Sequence, residues 1–305
     1  MNKPLLLGTA QWGWTVSRKA AFEELDIWLK AGCSGIDCAT NYPINKNPDD
    51  FRAAEHILVD YIKAHGLGNL QITMKIGGLD NMRSPESNLH PSFIQMMAGE
   101  YRQLFGENLD CLMVHWDNRK NETEICESLA MLASLKKEYG VKPGLSGIKH
   151  PETYNECLQS HDLHCDIQLK HNLLHSDLSR YTSVLPSGVH KYFAYGINAG
   201  GLKLENTPYN TESTFLARGG RPDTSVELLD QVKKLVEIFN ENPNRPAIST
   251  MNQLGLIFAG LNREIAGVVV GASSGNQLQE TLHYWSILDD SLYHDVYTGL
   301  LSITG

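Results

Sequence analysis

The 305 residues hold 26 Lys and Arg against 35 Asp and Glu, a net charge of −9, with 42% apolar residues. A chain this long buries a large core without staples. With no basic block or polybasic tail, it is not built for nucleic acid or an anionic membrane, which leaves small molecules as the expected partner class. The apolar run in the opening MNKPLLLGTAQ is too short for a signal-peptide core, and no stretch approaches ~18 apolar residues, so a soluble, cytoplasmic protein is expected. The six cysteines (33, 38, 111, 126, 157 and 165) form no CxxC pair and several lie in apolar runs, so they read as reduced, buried thiols. The cluster His161, Asp162, His164 and Cys165 and the pair His171 and His175 lack the glutamate of an HExxH arrangement, and no metal site is expected.

In chain order, short apolar runs alternate with amphipathic patterns. Leu5–Gly8 reads as a strand; Ser17 then caps a helix with Phe22, Leu25 and Leu29 on one face, stopped by Gly32. The run Ser34–Asp37 precedes a helix carrying Phe51, Ala54, Leu58 and Tyr61 that ends near Gly66. After Leu70–Lys75, Pro91 takes a first helical position ahead of Phe93, Met97 and Leu104. Leu109–His115 is followed by Ile125, Leu129, Leu132 and Leu135 at helical spacing. Further strands are Val141–Ser146, Asp166–Gln168, Tyr192–Tyr195 and Gly267–Gly271, with helical patterns at Val226, Leu229, Val232 and Phe239 and at Leu278, Leu282 and Trp285.

Eight strand–helix units over residues 1–305 predict a single-domain (β/α)8 barrel. The rival, a doubly wound dinucleotide-binding sheet, needs GxGxxG after its first strand; here the first strand runs into GTAQWG, with only Gly8 and Gly13 at its ends. The last two strands lie about 70 residues apart, and residues 199–225 fill much of that gap as a long loop of the kind that forms a lid or binding loop. The tail 286–305 carries apolar residues without a clear partner and is expected to close the pocket or the barrel bottom.

In a barrel, active residues sit at the C-terminal ends of strands. Here the second strand ends in Asp37, with Tyr42 in the following loop, the third in Lys75 and the fourth in His115. A phenol is a poor acid at neutral pH, and a neighbouring ammonium group favours its ionised form. A carboxylate paired to the lysine fixes its position, and a histidine opposite can orient a carbonyl oxygen. The set predicts an acid aimed at a carbonyl oxygen, with the phenol's pKa lowered by the lysine.

These residues, in LGTAQWG, DCATNY, MKIGG and LMVHWD, resemble the aldo-keto reductase family, and the resemblance continues through GLSG, DIQLKHN, YFAYGINAGGL and VVVGASSGNQLQET. It implies a (β/α)8 barrel that moves hydride between a nicotinamide dinucleotide and a carbonyl or alcohol, with Tyr42 as general acid or base, Lys75 and Asp37 tuning it and His115 orienting the substrate. By the same resemblance Ser146 and Gln168 hydrogen-bond the carboxamide and Tyr195 stacks on the nicotinamide ring. Gly196 to Gly201, including Asn198 and Gly200, lie along the pyrophosphate, and Gly271, Ser273, Ser274 and Gln277 lie at the adenosine end. Arg218 and Arg221 are expected to supply charge for a 2′-phosphate, hence NADP(H) over NAD(H). The family's Ser-Asn after strand five is here Ser146-Gly147, which removes one carboxamide hydrogen bond or has it replaced. Trp12 and Trp116 adjoin the motifs and are expected to wall the substrate pocket; Trp14, Tyr209 and Phe215 are further candidates. The opening resembles members associated with sugar metabolism. The alternative is a regulatory or scaffold subunit that keeps the cofactor site with little turnover.

Overall fold

The computed structural model describes residues 3–204, 208–209, 213–220 and 226–304. The β-branched and apolar runs form β1 (Leu5–Gly8), β2 (Gly35–Ala39), β3 (Gln71–Ile76), β4 (Leu109–His115), β5 (Lys142–Ser146), β6 (Asp166–Asn172), the two-residue β7 (His175–Ser176), β8 (Lys191–Tyr195) and β9 (Ile265–Val270). All but β7 are parallel, in the order β5-β4-β3-β2-β1-β9-β8-β6, and β5 pairs with β6 to close the ring. The short β7 folds back antiparallel on the end of β6. This is the (β/α)8 barrel.

Two strand ends differ from the expectation in ways that matter for the site. Strand β2 runs on to Ala39, so Asp37 lies inside the strand rather than at its tip. Strand β6 runs four residues past Gln168, to Asn172, so Gln168 also points from mid-strand. The registers Ala39↔Lys75, His115↔Ser146 and Ser146↔Gln168 then set the functional side chains at neighbouring levels of the same wall.

The helices are α1 (Arg18–Lys30), α2 (Ala53–His65), α3 (Pro91–Phe105), α4 (Glu122–Tyr139), α5 (Asn155–Ser160), α6 (Leu178–Thr182), α7 (Thr214–Ala217), α8 (Val226–Phe239), α9 (Met251–Leu261), α10 (Gly275–Ile287) and α11 (Asp290–Thr304). The Ser17 hydroxyl accepts from the Ala20 N–H and caps α1, and Pro91 opens α3. Helix α9 escapes the periodicity reading because Leu254 to Gly260 are all buried, leaving no polar face to mark a 3.6-residue repeat. Most of the tail forms α11, which packs Tyr293, Val296 and Leu300 inward and lies against α8 and α9. None of the described helices is long and apolar enough to cross a membrane.

The cysteine expectation is corrected at one pair. Cys126 of α4 and Cys157 of α5 form a disulfide, with their Cα atoms 5.2 Å apart, while Cys33, Cys38, Cys111 and Cys165 are free thiols. A separation of 31 residues gives no sign of pairing, because it is the packing of α4 on α5 that brings the two together. Among the described residues the sole grouping of metal-capable side chains is this pair with Glu122, and the His-rich stretches form none.

Trp12 also departs from its expected place. It has no exposed surface, so it cannot wall a pocket. Its indole N–H instead donates to Glu24 Oε2 at 2.9 Å, inside the layer between α1 and the barrel. Burial pushes the Glu24 carboxyl up to about 7, and the Trp12 hydrogen bond only partly opposes this. A carboxyl raised in the fold favours folding while protonated and loses that contribution as pH rises through about 7. Glu24→Gln, which keeps an acceptor for Trp12, should therefore flatten the decline in urea stability that wild type shows between about pH 5 and about pH 8, by an amount on the order of 3 kcal/mol or less. Parallel stability–pH curves for the two proteins would show that Glu24 does not titrate in this window.

Candidate active site

The interior of the barrel holds one ion pair. Lys75 Nζ of β3 contacts Asp37 Oδ2 of β2, and both side chains are almost wholly buried. Gln168 reaches in from β6 and bridges them: its amide N–H donates to Asp37 Oδ1 at 2.6 Å, and its carbonyl accepts from Lys75 Nζ at 3.3 Å. Both carboxylate oxygens are thus satisfied, as a buried charge requires.

Tyr42 enters from the loop after β2. That loop is tied to β3 where Thr40 N–H donates to the Lys75 carbonyl at 3.0 Å, and Tyr42 N–H closes a turn on the Ala39 carbonyl at 3.2 Å. The Lys75 ammonium lies 4.8 Å from the centre of the Tyr42 ring, and the His115 ring stands edge-on to it, 5.9 Å away at 87°. All four predicted tetrad members therefore converge on one spot.

The electrostatics correct one expectation. Burial pushes the Tyr42 phenol up, and the opposing Lys75 charge does not overcome it, so the net shift is upward rather than downward. Burial pulls Lys75 down, but Asp37 and Tyr42 outweigh it and hold the ammonium charged. His115 is pushed well below its ordinary value by burial and then by Lys75; its Nδ1 is buried with no partner among the described residues. The site at neutral pH is a protonated phenol, a charged lysine and a neutral imidazole.

At the end of β5, the Ser146 hydroxyl has no hydrogen-bond partner among the described residues. Trp116, one residue past β4, adopts a left-handed backbone (φ 58°), and its ring lies 5.0 Å from that of His115. Tyr195 ends β8 within electrostatic reach of Tyr42. The following loop is built for close approach: Gly196, Gly200 and Gly201 all have positive φ, and the Gly196 carbonyl accepts from Asn172 Nδ2 at 2.8 Å. Beneath this loop, a Cβ on Gly255 of α9 would stand 2.2 Å from the Ile197 carbonyl oxygen, so only glycine lets the two backbones touch. Asn198 lies in the same turn, accepting from the Gly201 N–H.

Gly271, Ser273, Ser274 and Gln277 gather where β9 passes into α10. The Ser274 hydroxyl caps the helix, and Gln277 Oε1 accepts from both the N–H and the hydroxyl of Ser273. A shallow cleft there is lined by Ser274, Gly275 and Asn276 with Glu23, Asp26 and Lys30 of α1. Arg218 of the long loop has its Nη1 4.0 Å from where a Gly200 Cβ would stand, and burial lowers its pKa. Arg221 lies outside the described residues. Tyr209 and Phe215 stack on each other at 4.3 Å.

Sequence reasoning passed over two contributors. Asn172 closes the glycine loop, but an Asn at a strand end usually signals only a turn. Asp117, buried, receives Arg119 and the Tyr154 hydroxyl and anchors the segment that carries Trp116.

The model of the aldo/keto reductase family matches residues 4–295. Among solved structures, the aldo-keto reductase AKR11C1 from Bacillus halodurans in its holo form is similar to this chain, with a TM-score of 0.73 at 15% identity, covering 99% of this chain and 92% of that one. No curated protein matches the chain. The family match over nearly the whole chain places the protein among oxidoreductases. The chain is a member of the aldo/keto reductase family.

Because its pKa is depressed, His115 should keep neutral-imidazole nitrogen shifts in NMR spectra down to about pH 5.5. A His115 titration centred near about 6.5 would mean that the imidazole is solvated rather than buried.

Proposed function

We propose that the protein reduces an aldehyde or ketone to the alcohol, or runs the reverse oxidation, with a nicotinamide dinucleotide and with Tyr42 as the proton donor. The carrying observation is the buried Asp37–Lys75 pair held beside Tyr42, with the neutral His115 ring edge-on to the phenol ring. The chain's unspent groups suit the dinucleotide: a partnerless Ser146 hydroxyl, a glycine loop open to close approach, and a capped helix start that favours a phosphate. The bound dinucleotide supplies the hydride. The residues do the rest. His115 donates a hydrogen bond to the carbonyl oxygen. Tyr42 gives that oxygen its proton as negative charge builds there. Lys75 stabilises the phenolate left behind, and Asp37 and Gln168 hold Lys75 in place.

For the cofactor, NADP(H) is the proposed preference, with NAD(H) as the alternative. The Ser274 hydroxyl at the start of α10 accepts from the Gln277 N–H and keeps its own O–H to donate to a 2′-phosphate, while both Ser273 donors are held by Gln277 Oε1 and would have to turn from it. Glu23 and Asp26 beside them favour an unphosphorylated ribose. Arg218, placed by Gly200, serves an anion nearer the middle of the ligand. A sugar-derived carbonyl remains the proposed substrate class, resting on the likeness of the opening segment to sugar-related members. The scaffold reading is disfavoured because a barrel needs no buried ion pair aimed at a phenol to fold.

Purified protein incubated with NADPH or NADH and a panel of aldoses and simple aldehydes should oxidise the reduced cofactor, with kcat/KM favouring NADPH by at least about tenfold if the α10 hydroxyls hold the phosphate. Tyr42→Phe should lower kcat by roughly 100-fold or more while leaving dinucleotide affinity unchanged. Turnover by the phenylalanine variant at the wild-type rate would remove Tyr42 from the acid role. Dinucleotide binding without turnover of any carbonyl would favour the scaffold reading.

A further inference from the structure

We infer that the indole N–H of Trp116 holds the carboxamide of the bound nicotinamide, in the place where residue 147 has no side chain to do so. The inference rests on the nicotinamide reading above and assigns a binding residue to that site.

The backbone is the starting point. A tryptophan at φ 58° is strained, because Cβ crowds the following carbonyl, at roughly 1–2 kcal/mol. Such strain persists only where neighbours enforce it. Here Trp116 N–H donates to the Ser146 carbonyl at 2.9 Å, and Lys149 N–H donates to the Asp117 carbonyl at 2.9 Å. Asp117 is itself fixed by Arg119 and by the Tyr154 hydroxyl. The segment is thus clamped from both sides, and the clamp turns the indole toward the end of β5.

The ring edge that arrives there is the polar one. A Cβ on Gly147 would stand 2.7 Å from Trp116 Cδ1 and 3.2 Å from Nε1. The indole therefore occupies the volume where a side chain at 147 would begin, and Gly147 itself has a φ of +63°. Tryptophan at 116 and glycine at 147 are two halves of one arrangement.

The hydrogen-bond inventory gives the arrangement a use. Gln168, also expected at the carboxamide, has its amide committed to Asp37 and Lys75. Trp116 Nε1 and the Ser146 hydroxyl have no partner among the described residues. A donor beside a group that both donates and accepts complements a carboxamide, whose oxygen accepts from the indole and whose amide N–H donates to the serine. The His115 ring lies 5.0 Å from the indole, so a nicotinamide held this way would lie next to the group that meets the carbonyl.

The test is calorimetric. Wild type and Trp116→Phe are titrated with NADPH and with 2′-phospho-ADP-ribose, the same ligand without its nicotinamide. Phenylalanine keeps the ring contact and removes the N–H. NADPH should bind the variant about 3- to 10-fold more weakly, as the loss of one hydrogen bond requires, with 2′-phospho-ADP-ribose unchanged. Trp116→Ala combined with Gly147→Asn should recover NADPH affinity relative to Trp116→Ala alone, since asparagine tolerates a positive φ and carries an amide into the vacated space. Unchanged NADPH affinity in Trp116→Phe, with only the carbonyl KM raised, would overturn the inference and make Trp116 a wall of the substrate pocket. Equal weakening of both ligands would make its role structural and overturn it as well. If wild type bound NADPH no better than 2′-phospho-ADP-ribose, the nicotinamide end would make no contact, and the proposed function would fall first.

Discussion

Two opposite charges sit side by side inside the barrel, and the rest of the site is arranged around them. Moving a carboxylate and an ammonium out of water costs several kcal/mol each, and their attraction offsets this only when the remaining hydrogen-bonding positions are filled. Here they are filled from three strands: Asp37 from β2, Lys75 from β3 and the Gln168 amide from β6, touching both. The arrangement fixes the relative register of strands far apart in the ring. It also fixes the direction of the lysine, which has Tyr42 above it.

The phenol's raised pKa changes how the acid works. Lys75 alone would make Tyr42 more acidic, but burial has the larger effect. In the proposed reaction, the proton therefore stays on the phenol until the opposing oxygen becomes strongly basic, as hydride arrives at a carbonyl. The lysine's influence is then exerted after transfer, on the phenolate, and so acts more on the transition state than on the resting site. His115 completes this logic. Burial and the same lysine keep it neutral, so it can orient an oxygen by a hydrogen bond without competing for the proton.

The sequence disclosed most of what depends on a strand's own pattern. Asp37, Lys75 and His115 were legible because each interrupts an apolar run, and Tyr42 because of its distance from one. What failed to show depends on contacts between segments. Trp12 stands beside the right motif, yet its indole is claimed by Glu24, a helical acid whose spacing looks solvated. Cys126 and Cys157 pair only because α4 packs on α5. The Ser146-Gly147 departure looked like a lost contact until the fold placed the Trp116 ring over the glycine.

Helix α9 shows why such features resist a sequence reading. A helix that packs on the barrel with one face and meets water with the other announces itself by periodicity. Helix α9 is covered on all sides, by the barrel, by α11 and by the underside of the glycine loop, so its pattern is flat. Its Gly255 is the point where the loop's backbone comes down on it, at a distance that excludes any Cβ. From above, Asn172 ties the same loop through the Gly196 carbonyl. A loop held from both sides can keep several left-handed residues in a fixed shape, and the Ala199 and Gly201 N–H groups close turns within it. The burial that erases the helical signal is therefore the same burial that holds the loop in its shape.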